Sequence, residues 1–231
     1  MYTKNKGGEE MNSSKYNNFL TILLVVAIIA IIVLLGFFAY DIYNKYSINK
    51  GAEDAISRFE DAIKDDNEVE NNSGGTEEIV ESPLNSVNQS SVEYVSAETT
   101  YKGYTIVGKI KIPVINIEYP ILEKVTKKSI QIAVAVLYGP GVNKTGNTVI
   151  VGHNYRNGTF FSNLSKLKVG DKIYITDASG EQVEYTVYKN YETTAEDTTY
   201  MTRDTAGKRE ISLSTCTVDS NYRTIILAKA E

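Results

Sequence analysis

The chain has 231 residues, a net charge of -5, one histidine and one cysteine. One cysteine excludes an intrachain disulfide, and one cysteine with one histidine cannot build a Cys/His zinc site. No dense basic patch with interleaved aromatics marks a nucleic-acid surface, and no Gly-rich phosphate loop points to nucleotide use, so no metal or cofactor is assigned.

Residues 1–18 form a tail too short to fold, carrying Lys4, Lys6 and Lys15. The 22 residues from Phe19 to Tyr40 contain Thr21 as their only clearly polar member. About 20 apolar residues rising 1.5 Å each cross a hydrocarbon core of ~30 Å, so 19–40 is expected to be a transmembrane helix in contact with lipid. A cleaved signal peptide is the rival, but its apolar core is usually only about 7–15 residues and ends at a small-residue cleavage site, which is absent here. Charge does not settle the orientation, because Lys45, Lys50 and Arg58 follow the segment. Tyr40, Tyr43 and Tyr46, at helical spacing, suit a membrane interface.

Residues 51–100 hold thirteen Asp or Glu against only Arg58 and Lys64. Together with the polar run from Asn71 to Gly75 and the Ser-rich run from Ser82 to Ser96, this makes 41–100 an acidic stalk, read as a flexible, self-repelling linker. Within it, Ile56, Phe59 and Ile63 share one helical face, which predicts a short juxtamembrane helix over Ala52–Lys64.

From Tyr101 the balance reverses, with seventeen Lys or Arg and thirteen Asp or Glu, a net of +4. Strands are predicted over 106–112, 148–151, 172–176, 183–188, 211–215 and 223–228, each rich in β-branched or aromatic residues. Turn signals at Pro113, Gly139 to Gly141, Asn157-Gly158, Gly170-Asp171 and Ser179-Gly180 separate them. Helical patches are predicted at Lys128–Tyr138 and at Thr159–Leu167, the latter with Phe160, Phe161, Leu164 and Leu167 as its apolar positions. Residues 101–231 thus read as one all-β barrel or sandwich with short helices.

Three residues supply chemistry. His153 stands just beyond the strand 148–151, Cys216 ends the strand 211–215, and Arg223 opens the last strand. If those last two strands pair through the connection from Thr217 to Tyr222, Cys216 and Arg223 face one another. A base, a thiol and a fixed positive charge suffice for thiol-based acyl transfer, since a nearby cation or imidazole favours the attacking thiolate. An apolar, buried structural cysteine and a surface pair between Arg223 and Asp219 are the plainer readings.

The segment Leu213, Ser214, Thr215, Cys216 with Arg223 downstream, and the run from Gly152-His153 to Leu167 followed by Val169-Gly170-Asp171, resemble the sortases, membrane-anchored cysteine transpeptidases of Gram-positive bacteria. The resemblance covers roughly residues 101–231. It implies an eight-stranded closed β-barrel preceded by one transmembrane helix, a cytoplasmic tail and an extracellular catalytic domain. It also implies that His153, Cys216 and Arg223 are catalytic and that Thr215 and Ser214 lie in the substrate groove. The implied reaction cleaves a Leu-Pro-x-Thr-Gly-like sorting signal between Thr and Gly through a thioacyl intermediate. The acyl group then passes to an amine of peptidoglycan or of a pilin, anchoring a surface protein. The interval between Tyr188 and Ile211 is short for the helical insertion of class B, and no Asp-Pro-aromatic lid of class C precedes the barrel. Class D or class A is the nearer likeness. Glu192, Glu196 and Asp197 are similar to a calcium-binding loop of some class A members but are read as solvated. A membrane-anchored cysteine peptidase and a non-catalytic surface binding module remain as alternatives.

Overall fold

The computed structural model describes residues 7–71 and 99–231. A single helix, α1, runs Gly7–Asn71. Its stretch through Tyr40 exposes apolar side chains all round, among them Phe19, Leu24, Ile32, Phe37 and Phe38. That stretch is long and apolar enough to cross a membrane.

The chain divides into a unit Met1–Ser47 and a unit Ile48–Glu231. The second therefore starts well before residue 101. Residues 48–64, expected as stalk apart from a short helix, are part of a compact body. Ala52, Ala55, Phe59 and Ala62 follow Ile48 at i+4, i+7, i+11 and i+14, a stripe that puts one face of α1 on the protein, and all four are buried. The acidic residues lie on the other faces, so the charge that suggests a stalk coexists with a docking stripe. The polar runs 71–75 and 82–96, read as linker, lie outside the described residues except for Asn71.

The remaining strands are β1 (Thr100–Tyr101), β2 (Tyr104–Ile112), β3 (Ile117–Leu122), β4 (Val134–Tyr138), β5 (Gly146–Val151), β6 (Lys172–Asp177), β7 (Gln182–Thr194), β8 (Arg209–Cys216) and β9 (Tyr222–Ala230). They hydrogen-bond in the order β1-β2-β3-β4-β5-β8-β9-β7-β6, and β6 returns to β2. Strands β2 to β9 therefore close an eight-stranded barrel, with β1 a two-residue addition to β2. Closure leaves no open edge on those strands. Inside lie Ile110, Ile112, Tyr119, Ile121, Ile150, Ile173, Ile175, Tyr185, Val187, Ile211, Leu213 and Ile226.

Three strands escape the sequence pattern: the two-residue β1, and β3 and β4. β3 carries Pro120, which argues against a paired strand, but β4 joins it only at Ile121 and Leu122, so the proline is spared a donor role on that side. β4 lies in the segment Lys128–Tyr138 predicted as helix, where Ile130, Ala133, Val134 and Leu137 have helical spacing. The helical turn there is confined to Ser129–Gln131. The rest extends because β3 and β5 each offer a strand edge, and Val134 pairs with Ile121 while Ala135 pairs with Val151. Tertiary pairing overrides the local period. The second helical patch is likewise a 3₁₀ turn, Leu164–Lys166, yet Phe160, Phe161, Leu164 and Leu167 are all buried in the barrel core as their pattern requires.

Candidate active site

β8 is buried from Glu210 to Thr215, on both faces. Side chains alternate along a strand. Ile211 and Leu213 enter the core, and Thr215 shares their parity. Ser212, Ser214 and Cys216 therefore share the outer face. On β9 the outer set is Arg223, Ile225 and Leu227; Ile225 and Leu227 pack with Val149 and Tyr200 in a separate cluster outside the barrel. Cys216 thus stands at the end of an outward face that the β7–β8 connection covers.

Cys216 pairs directly with Arg223 across the antiparallel β8–β9 ladder, as expected from the short connection. That connection is a tight turn: Thr217 N–H donates to Tyr222 O at 3.0 Å and Ser220 N–H to Thr217 O at 3.0 Å. Asp219 is used inside it, accepting from Thr217 Oγ1 at 2.6 Å and from Asn221 N–H at 3.1 Å. Those bonds hold its carboxyl below the ordinary range. Arg223 forms no ion pair with it; the guanidinium donates to the carbonyls of Tyr222 at 3.2 Å and Ser220 at 3.4 Å. Among the described residues no carboxylate neutralises Arg223, so its charge is open to a ligand.

β5 and β8 run parallel with Val151 opposite Ser214. Two more bonds carry that register onward: Gly152 N–H donates to Ser214 O at 3.3 Å and Thr215 Oγ1 donates to Gly152 O at 2.8 Å. Continued by two residues, the register sets His153 level with Cys216. Gly152 is required by space: a Cβ there would lie 2.9 Å from Val134 Cγ1 and 3.0 Å from Phe161 Cδ2.

A cleft of about 130 Å³ is lined by Ile130, Val151, Gly152, His153, Ser214, Thr215, Cys216 and Arg223. All five residues singled out from the sequence border it. Cys216 is free and partly exposed. Thr215 and Ser214 are buried, and the Thr215 hydroxyl is committed to Gly152, so its first role is to hold β8 against the segment after β5 that carries His153, the histidine loop. Burial pushes the His153 imidazole below its ordinary value. The single imidazole of the full chain is therefore expected to titrate, by NMR, with a midpoint below the usual ~6.5. Stability tied to the neutral ring is then present above about pH 6.5 and is lost as pH falls through the folded midpoint.

Sequence reasoning missed two groups. Asn154 Nδ2 donates to the Cys216 carbonyl at 2.9 Å and so pins the histidine loop to the end of β8. Its signal was its place next to His153. Tyr200, from the β7–β8 connection, has its hydroxyl 3.4 Å from Ser214 Oγ, and nothing local in the sequence marks it. Of the three acids in that region, Glu192 lies in β7 opposite Thr224, and Asp197 accepts from Thr193 Oγ1 at 2.5 Å and Thr199 Oγ1 at 2.6 Å.

Residues 110–231 match the family model described as the sortase domain. Sortase A of Bacillus anthracis is 34% identical over 125 residues, 53% of this chain, and the match spans 58% of that protein's length. A lid mutant of Sortase A from Corynebacterium diphtheriae superposes with a TM-score of 0.51 at 29% identity, covering 55% of this chain and 71% of that one. A Sortase D5 transpeptidase of Clostridium perfringens superposes with a TM-score of 0.50 at 26% identity, covering 55% and 79%. The closed eight-stranded barrel is the fold of these proteins.

Proposed function

This chain belongs to the sortase family, and from that premise we propose that it is a cysteine transpeptidase, held at the membrane by residues 19–40 with residues 101–231 as its extracellular catalytic domain. The observation that carries this reading is that one cleft is bordered by the chain's only thiol, its only imidazole and an arginine with no carboxylate partner among the described residues.

Cys216 Sγ, as thiolate, attacks the Thr carbonyl of a Leu-Pro-x-Thr-Gly-like sorting signal. Negative charge moves to the carbonyl oxygen, where the Arg223 guanidinium stabilises it. His153 as imidazolium gives its proton to the departing Gly amine, the C–N bond breaks, and a thioester remains on Cys216. An amine of peptidoglycan or of a pilin lysine then loses a proton to the neutral His153 and attacks the thioester. A new amide forms, Cys216 leaves as thiolate, and the surface protein is joined to the wall. Attachment of enzyme and substrate to one membrane raises their effective concentration. No metal or organic cofactor enters this scheme.

The test incubates the detergent-solubilised full chain with a sorting-signal peptide, with and without an added amine. A new amide product is expected by mass spectrometry, whereas hydrolysis alone would mean a peptidase. Arg223→Ala is expected to lower the rate by about 10²–10³-fold, the usual loss for an oxyanion donor, with Arg223→Lys recovering part of it. A pure binding module would lose nothing on either change.

A further inference from the structure

The side of α1 that docks on the barrel is connected to the histidine by a continuous line of contacts. Asn49 of α1 accepts a hydrogen bond from Tyr119 Oη at 2.8 Å, and Tyr119 on β3 is 3% exposed. Burial pushes the pKa of this hydroxyl up, and the backbone of Phe160 beside it acts in the opposite sense. The Tyr119 and Phe160 rings lie 5.0 Å apart, Phe160 and Tyr155 5.8 Å, and Tyr155 and His153 4.9 Å with an angle of 31° between planes. Such tilted and offset pairs are attractive as well as space-filling.

The loop that carries these rings does not hold its shape unaided. Phe160 and Arg156 sit at φ of +48° and +61°, a left-handed conformation costly for residues with a Cβ. What imposes it is the burial of Phe160, the Phe161 N–H bond to His153 O at 3.1 Å, and the Asn154–Phe160 bridge. His153 itself has no carboxylate partner among the described residues to orient its ring; the neighbouring groups that titrate or carry charge are Tyr155 on one face and Cys216 and Arg223 across the cleft.

The helix also approaches β1 closely. A Cβ at Gly51 would lie 2.6 Å from Tyr101 Oη, so glycine is what lets α1 seat. Tyr101 is buried there, and its hydroxyl has no hydrogen-bond partner among the described residues. Two buried tyrosines thus meet the same helix, only one of them tied to the histidine loop.

We infer that Tyr119, acting through Phe160 and Tyr155, is a positioning residue for His153, and that the docked part of α1, by way of Asn49, belongs to the support of the active site. This rests on the reading of His153 as the acid–base group, but its geometric content is testable without catalysis because the chain has one histidine and one cysteine. Tyr119→Phe keeps the ring stacked against Phe160 and removes the hydroxyl that ties it to α1. Asn49→Ala removes the same link from an exposed side chain that cannot unfold the core. Tyr101→Phe is the control, deleting a buried phenol hydroxyl that has no hydrogen-bond partner among the described residues.

In the full chain in detergent, Tyr119→Phe and Asn49→Ala are expected to broaden the His153 imidazole resonance and move its titration midpoint upward, toward ~6.5. They are also expected to change the rate of Cys216 alkylation by iodoacetamide about threefold or more, and to lower kcat for amide transfer about tenfold with KM unchanged. Tyr101→Phe is expected to change none of these. If the imidazole titrates alike in all four proteins, or if Tyr101→Phe moves it as far as Tyr119→Phe does, the positioning role is wrong, whatever the transfer assay gives. If instead the resonance and the alkylation rate respond while no transfer is seen in any protein, the relay stands and the transpeptidase reading falls.

Discussion

Cys216→Ala in the full chain is expected to abolish thioacyl formation and to lower amide transfer by roughly 10³-fold or more, the scale on which loss of a nucleophile separates covalent from residual catalysis. The fold is not expected to suffer. Cys216 ends β8, is only partly buried, and belongs to the outer set rather than to the barrel core. Its link to the histidine loop is through its backbone carbonyl, which alanine retains and Asn154 still reaches. Incubation with a sorting-signal peptide followed by intact-mass measurement reads the adduct directly. The unsubstituted chain gains the acyl mass, and the variant does not. An adduct on Cys216→Ala would place the nucleophile elsewhere and remove the mechanism, because no second thiol exists to replace it.

Arg203→Ala is expected to destabilise the domain by about 3 kcal/mol, the lower end for breaking a buried ion pair from one side. For a chain of this size that is a fall in Tm of roughly 6–12 °C, measurable by calorimetry. Arg203 Nη1 donates to Glu210 Oε2 at 2.5 Å, with the two side chains only 18% and 11% exposed. Its other donors reach Tyr200 O at 3.2 Å and Asn147 Oδ1 at 2.8 Å. Asn147 Nδ2 in turn holds the carbonyls of Tyr200 and Met201, each at 2.9 Å. The Tyr188 hydroxyl, which donates to Glu210 at 2.7 Å, is pushed up to about 12 by burial first and by the Glu210 carboxylate second. The cluster fastens the β7–β8 connection over the outer faces of β5 and β8, beside the face that ends at Cys216. Alanine leaves Glu210 without its cation in a largely dry site. The double change Arg203→Met with Glu210→Met is expected to cost much less than Arg203→Ala, because no charge is then stranded. Equal losses in the two proteins would mean that the network stabilises through packing alone.

The outcome for each element follows from the range over which its determinants act. Strands such as β6 and β8 were legible because alternation is local and their β-branched residues agree with it. The pairing of Cys216 with Arg223 was legible for a similar reason, since a short turn between adjacent strands leaves little freedom of register. β4 was not, because its apolar spacing suits a helix and only the waiting edges of β3 and β5 make it a strand. The docked part of α1 was partly legible: Ile56, Phe59 and Ile63 marked a face, while the acidic composition pointed to a stalk. Composition averages over all faces of a helix, whereas docking depends on one.

By itself the sequence determined the chemical inventory: one thiol, one imidazole, a segment apolar enough to cross a membrane, and an arginine held close to the thiol by a short turn. These follow from residue identity and from contacts between near neighbours. Only the tertiary structure decided that β5 lies parallel to β8 and so brings His153 level with Cys216, that Asn154 and Tyr200 reach β8, that Arg203 bridges β5 and the β7–β8 connection, and that Tyr119 joins α1 to the histidine loop. Each of these joins residues far apart along the chain, and such contacts form only when the barrel closes, because the cost of bringing distant segments together is met by the whole core at once rather than by any pattern a local stretch can carry.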